Sequence, residues 1–296
     1  MEMHNELKQV RKNIVATTGL PDTGNHDPSN IIRYKDRYYC WYTQHWGEWE
    51  AFLKTKVMVV TSADGYRWEH KQDALVPSTD KKAWDCEGVL TAYVVPWESR
   101  YYMFYSGVGS DYVNANVSPR GIGIAIADTP DGPWERLGKA PVLFPEPGKW
   151  DEVCCDDANL IFHDERWLFY YKGRKIGSQP HSSQIGLATS TDITGPFTKH
   201  EANPLIAGHA LSLWPYKEGF LFIGGGNNQK LYWSEDGLRF EECCDFPNAA
   251  TGLYTKVVQD GSQQDVSAFW GIDSAQTSGE SGNRNVVLER FDIVLE

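Results

Sequence analysis

Apolar and polar positions alternate along this chain in short, strand-length runs separated by charged or glycine-containing turns, and one such run comes round repeatedly. From Asp27 the chain reads Asp27-Pro28-Ser29-Asn30, an apolar pair Ile31-Ile32, a charged turn Lys35-Asp36-Arg37, and an aromatic stretch Tyr38-Tyr39-Cys40-Trp41-Tyr42. Laid against it without a gap, the run from Asp156 brings Asn159 onto Asn30, Arg166 onto Arg37 and Trp167 onto Tyr38. A third copy begins at His209, whose first aromatic, Phe220, lies eleven residues on, the same spacing as Asp27 to Tyr38 and Asp156 to Trp167. A looser copy spans Glu87 to Tyr105, with a longer turn at Pro96-Trp97-Glu98-Ser99, and the weakest runs from Thr251 to Trp270.

Each of the first four copies is followed by a second hairpin. Its turns carry Asp64-Gly65, Gly132-Pro133, Gly195-Pro196 or Asp236-Gly237, pairs whose backbone preferences favour tight reversals. Two hairpins make four strands, and a four-stranded unit repeated at this period is the signature of a propeller blade. Helical periodicity is nearly absent after Lys12. The pattern therefore predicts an all-β fold: a five-bladed β-propeller of four-stranded antiparallel blades around a central channel. Residues 1–296 form a single domain in this reading, with the N-terminal segment 1–20 a candidate to complete the last blade.

Composition sharpens this. Twelve Trp, 15 Tyr and 12 Phe make aromatics 13% of the chain; they favour strands and also stack on sugar rings. A formal net charge of −12 disfavours non-specific binding to nucleic acid or an anionic membrane, and no apolar run approaches membrane-spanning length. The start, Met1-Glu2-Met3-His4, lacks the order of a signal peptide. The six cysteines include two adjacent pairs, Cys154-Cys155 and Cys243-Cys244, and no C-x-x-C, which argues against a disulfide framework or a structural zinc site. The expectation is a cytoplasmic protein with reduced thiols; the oligomeric state is left open.

In a propeller the innermost strands line the channel, so residues at one register in successive blades converge. Asp27, Asp156 and His209 share a register in the alignment above. One strand-start aspartate is commonly a cap for loose backbone amides; three titratable residues at the same place argue for more. Glycosidic cleavage needs one carboxylate as base or nucleophile and a protonated partner for the leaving oxygen. Repulsion between converging acids separates their pKa values, and nearby negative charge favours the imidazolium of a histidine, so His209 is a candidate donor.

At this point the chain resembles a known group. His26-Asp27-Pro28-Ser29, the blade-three aspartate, and the second hairpins Ile122-Gly123-Ile124-Ala125 with Gly132-Pro133-Trp134 and Ile185-Gly186-Leu187-Ala188 with Gly195-Pro196-Phe197 look like five-bladed glycoside hydrolases of families 43 and 117. The resemblance implies Asp27 as general base and Asp156 as the carboxylate that tunes pKa and orients the sugar. Where family 43 places an acid glutamate in blade four, this register holds His209, which is similar to family 117; Glu87, in Trp84-Asp85-Cys86-Glu87-Gly88, is the competing acid. The implied activity is exo-acting hydrolysis of an oligosaccharide, with no cofactor or metal required. The alternatives are a non-catalytic carbohydrate-binding propeller and a related sugar phosphorylase, for which no basic cluster is seen near the aligned positions.

Further substrate-binding candidates are His26, which could instead ligate an axial cation, Arg120, Arg174 and His181. The aromatic segment Gln44-His45-Trp46-Gly47-Glu48-Trp49 is a candidate pocket wall, with His45 and Trp46 facing the sugar.

Overall fold

The computed structural model describes residues 10–17, 25–46, 53–114, 116–209, 211–224, 229–246, 252–256, 269–276 and 286–295. The chain is all-β, and the one helix among the described residues is a 3-10 turn at Pro180–Ser182. β1 (Val10–Thr17) comes first. β2 (Asn25–His26), β3 (Ile32–Tyr34), β4 (Arg37–His45), β5 (Thr55–Ser62) and β6 (Glu69–Leu75) form one antiparallel group. β7 (Gly88–Trp97), β8 (Arg100–Val108), β9 (Gly121–Ala127) and β10 (Glu135–Arg136) form a second meander. A single parallel pair, Thr55 with Gly88, joins these two into one nine-stranded sheet.

The third sheet holds β11 (Cys154–His163), β12 (Arg166–Arg174), β13 (Gln184–Ser190), β14 (Thr198–Lys199) and β15 (Ile206–Ala207). The fourth holds β16 (Ser212–Tyr216), β17 (Gly219–Gly224), β18 (Lys230–Ser234) and β19 (Glu241–Asp245). The last has β20 (Gly252–Leu253), β21 (Phe269–Gln276) and β22 (Val286–Leu295), with β1 as its outer strand, Val10 facing Leu295. Most of the weakest sequence repeat, between Lys256 and Phe269, lies outside the described residues, as do residues 1–9 and 18–20.

Local sequence explains the turns. The Asp64 carboxylate accepts the amides of Tyr66 and Arg67 at 2.8 and 2.9 Å, while Gly65 takes a φ of +76°. Asp236 does the same for Leu238 and Arg239, again at 2.8 and 2.9 Å, ahead of Gly237. The loop expected to be long at Pro96–Ser99 is in fact tight: Trp97 pairs with Arg100 across Glu98 and Ser99, both left-handed. The turn Asp164-Glu165 has the same form, with both residues at positive φ, as two-residue hairpin turns prefer.

Neighbouring units are fastened by repeated devices. Asn30 donates to the Val94 carbonyl at 2.8 Å and accepts its amide at 2.9 Å, locking the first unit to β7. Asn159 meets the Leu213 amide and carbonyl in the same way, at 3.2 Å each, once its amide is oriented to satisfy both. Trp84 lies over Gly107 and Gly123, where an added Cβ would collide with the indole, and Trp150 lies likewise over Gly173 and Gly186. Beside each indole sits a buried aspartate. Asp85 accepts from Tyr105 (2.9 Å) and Arg136 (2.6 Å), and Asp151 from Tyr171 (3.1 Å) and Lys199 (2.6 Å). The largest core cluster joins the first three units around Trp41, Phe104 and Phe169. All six cysteines are free.

Candidate active site

The leading ends of β3, β7, β11 and β16 open onto one cavity of about 160 Å³. Its wall includes Asp27, Thr91, Asp156, Asp157, Lys172 and His209. Three of these share an unusual backbone. Asp27, Thr91 and Asp157 have φ of 50°, 47° and 51°, the left-handed region that aspartate visits more readily than most and that a β-branched threonine avoids. Each follows a residue paired with the neighbouring strand: His26 with Thr43, Leu90 with Ser106, Asp156 with Lys172. In β7 and β11 a β-bulge follows, between β2 and β3 the pairing lapses, and all three side chains line the cavity.

This geometry corrects the alignment. Three residues separate His26 from Asn30, but only two separate Asp156 from Asn159, so in space Asp27 corresponds to Asp157. Asp156 instead takes the place of His26. In the second unit the matching position is Thr91, four residues past Glu87.

Asp156 is 1% exposed and heavily coordinated. It accepts from Ser106 Oγ (2.5 Å), Thr91 Oγ1 (3.1 Å) and the Asp157 amide (3.0 Å), and pairs with Arg120 and Lys172 at 3.4 Å each. Burial would raise its pKa, but Lys172, Arg120 and the two hydroxyls outweigh that and hold it well below the carboxylate range. Asp27 Oδ2 lies 2.6 Å from His26 Nδ1. Desolvation pushes Asp27 up, yet His26 and Lys172 prevail over it and over Asp156, and the group ends below its ordinary value.

Asp157 behaves in the opposite way. Burial and the charges of Asp156 and Asp27 push it up to about 7, although Lys172 Nζ stands 2.5 Å from its Oδ2. Three carboxylates share one pocket, and their mutual repulsion falls on the third. Lys172 remains charged because Asp156 and Asp157 offset its burial.

The expected imidazolium at His209 is reversed. Lys172 and then burial lower its pKa to about 4, despite Asp156 and Asp27, so the ring is neutral at ordinary pH. His209 does line the cavity, with Nδ1 3.4 Å from Ser183 Oγ. Other expected residues lie elsewhere. Glu87 and Trp46 line a separate cavity, and Gly47, Glu48 and Trp49 are outside the described residues. His45 is buried at the end of β4, Arg120 is buried against Asp156 and Arg174 at the end of β12, and neither arginine is on the wall. His181 is exposed on the 3-10 turn. His26 faces Asp27, and no group of three His, Cys, Asp or Glu suited to a metal ion occurs among the described residues.

Asp157 and Lys172 were missed by sequence reasoning. The doublet Asp156-Asp157 and a lone lysine in the aromatic strand Trp167–Arg174 were the available signals.

Residues 21–194, more than half of the chain, match the family model of the glycosyl hydrolases family 32 N-terminal domain. The chain belongs to this family. It is thus a glycosidase acting on O-glycosyl bonds, within the class of propeller glycoside hydrolases that the motifs resemble, although family 32 was not the one they suggested. Among solved structures it is similar to Zg3597, a family 117 glycoside hydrolase of Zobellia galactanivorans, at 24% identity and a TM-score of 0.82, covering 98% of this chain and 91% of that one. It is also similar to fructan 1-exohydrolase IIa from Cichorium intybus (14% identity, TM-score 0.69, 94% of this chain and 57% of that one). A third is the endo-arabinase of Bacteroides thetaiotaomicron (16% identity, TM-score 0.59, 94% and 96%). No curated protein matches the chain by sequence.

Proposed function

We propose that this family 32 member removes single sugars from the end of an oligosaccharide, in a blind cavity on the axis of a five-bladed propeller. Five antiparallel units support the architecture, as does the contact of the first with the last, Ile31 N donating to Leu253 O at 2.8 Å. The exo mode is supported by size: about 160 Å³ is well below the roughly 300 Å³ at which drug-sized pockets begin, and suits one sugar ring.

The observation that carries the mechanism is the convergence of Asp27, Asp156 and Asp157 around Lys172. Asp27, ionised and open to the cavity (43% exposed), acts as general base on water. Asp157, which holds its proton below about pH 7, gives it to the leaving oxygen. Asp156 is a fixed anion that orients the sugar and sustains the proton on Asp157, and His209 offers a neutral nitrogen to a hydroxyl. A purely binding propeller has no need of three converging carboxylates. A phosphorylase would need free cations, whereas Lys172 and Arg120 are both engaged by the Asp156 carboxylate. Six free thiols support work in a reducing compartment such as the cytoplasm.

The neighbours' names supply the first probes, a fructan and an arabinan, alongside a panel of aryl glycosides. Wild type should release monosaccharide as its first product. Asp27→Asn should fold normally and lose about 10²–10⁴ in turnover; near-normal turnover by that variant would remove Asp27 from the mechanism.

A further inference from the structure

The axial cavity has room for one ring, so the rest of an oligosaccharide must lie outside it. A second, larger cavity of about 640 Å³ is lined by Trp46, Lys54, Lys56, Asp73, Lys81 and Glu87. Its position follows from the strands. Glu87 immediately precedes β7, and four residues of extended chain, about 13 Å, separate it from Thr91 in the axial cavity. Trp46 is three residues, about 10 Å, beyond Thr43, whose hydroxyl accepts the Thr91 amide. Both paths lead from the axial site to the second cavity, at the same end of the strands.

The chemistry of this cavity is unexplained by stability. Trp46 is 42% exposed and Val76, also on the wall, 44%, where burial would be favourable for both. Lys56 pairs with Asp73 at 2.8 Å and Lys81 with Glu87 at 3.9 Å. Solvent-exposed pairs of this kind contribute little to folding. They do present donors and acceptors side by side, as sugar hydroxyls require. The electron-rich indole face suits the weakly positive C–H face of a sugar ring.

We propose that this cavity is a second saccharide site, holding sugar units of a chain whose end occupies the axial cavity, with Trp46 as stacking platform and the two ion pairs reading hydroxyls. Only the choice of ligand class rests on the glycosidase reading. The test is binding without turnover: Asp27→Asn protein run through native gels cast with inulin-type fructan or linear arabinan. At least one polymer should retard it. Adding Trp46→Ala should weaken binding at least about tenfold, while Trp46→Phe, which keeps a ring, should retain most of it. If neither polymer retards the parent, or if Trp46→Ala is retarded as strongly as the parent, the site is refuted. The phenylalanine variant and melting temperatures separate lost stacking from misfolding. A failed glycosidase reading would show differently, as absent sugar release by the wild type.

Discussion

Replacing Asp157 by asparagine is expected to make the protein more stable and less active, with the stability gain confined to higher pH. The folded protein holds this carboxyl at about 7, against 3.8 when unfolded. A group with a raised folded value contributes fully below 3.8 and progressively less as pH rises to about 7. At about 1.4 kcal/mol per pH unit, that difference costs about 4 kcal/mol above neutrality. The attraction of Lys172 is already counted in that value, and asparagine, which still offers Lys172 an oxygen, removes most of the cost. Lys172 keeps Asp156 at 3.4 Å, so no cation is stranded. The net gain should be roughly 2–4 kcal/mol at pH 8 and should fall to near zero by about pH 4. Urea unfolding of both proteins from pH 4 to 8 measures it. If Asp157→Asn is the less stable protein at pH 8, the carboxylate is ionised and paired, and the proton assigned to it is not there.

Two further outcomes test the same site. Because Asp157 must be protonated to act, kcat/KM should fall as pH rises through about 7, and Asp156→Asn, by removing a neighbouring charge, should move that limb to lower pH; an unmoved limb would assign it to another group. Loss of the true acid harms an activated aryl leaving group much less than a sugar, so Asp157→Asn should show that dependence and His209→Ala a smaller, uniform loss, measured as kcat/KM on both substrate types; the reverse result would restore His209 as donor.

The strand repeat was legible because side-chain spacing survives in sequence. The aligned Asn30 and Asn159 each reach into the next unit, although their role as fasteners was not foreseen. What sequence could not show was the size of the bulges. One extra residue between His26 and Asn30 displaces Asp27 onto Asp157, and an ungapped comparison hides it. Glu87 was misplaced for a related reason, since the two-residue turn at Glu98-Ser99 puts Thr91 at the shared position. His209 lines the cavity, but its charge depends on Lys172, a partner from another strand that no local pattern near His209 announces.

The pairing of β1 with β22 has a consequence for biosynthesis. Val10 finds Leu295, so the last sheet is built from both extremes of the described chain. The first four units consist of contiguous sequence and can assemble as they emerge from the ribosome. The fifth waits, and β1 stays without its partner until translation has passed β22. This contact of maximal sequence separation carries the largest loop-closure cost and should be the slow step of folding. During that interval both β1 and the unpaired edge of β22's sheet are exposed to pairing with other nascent chains.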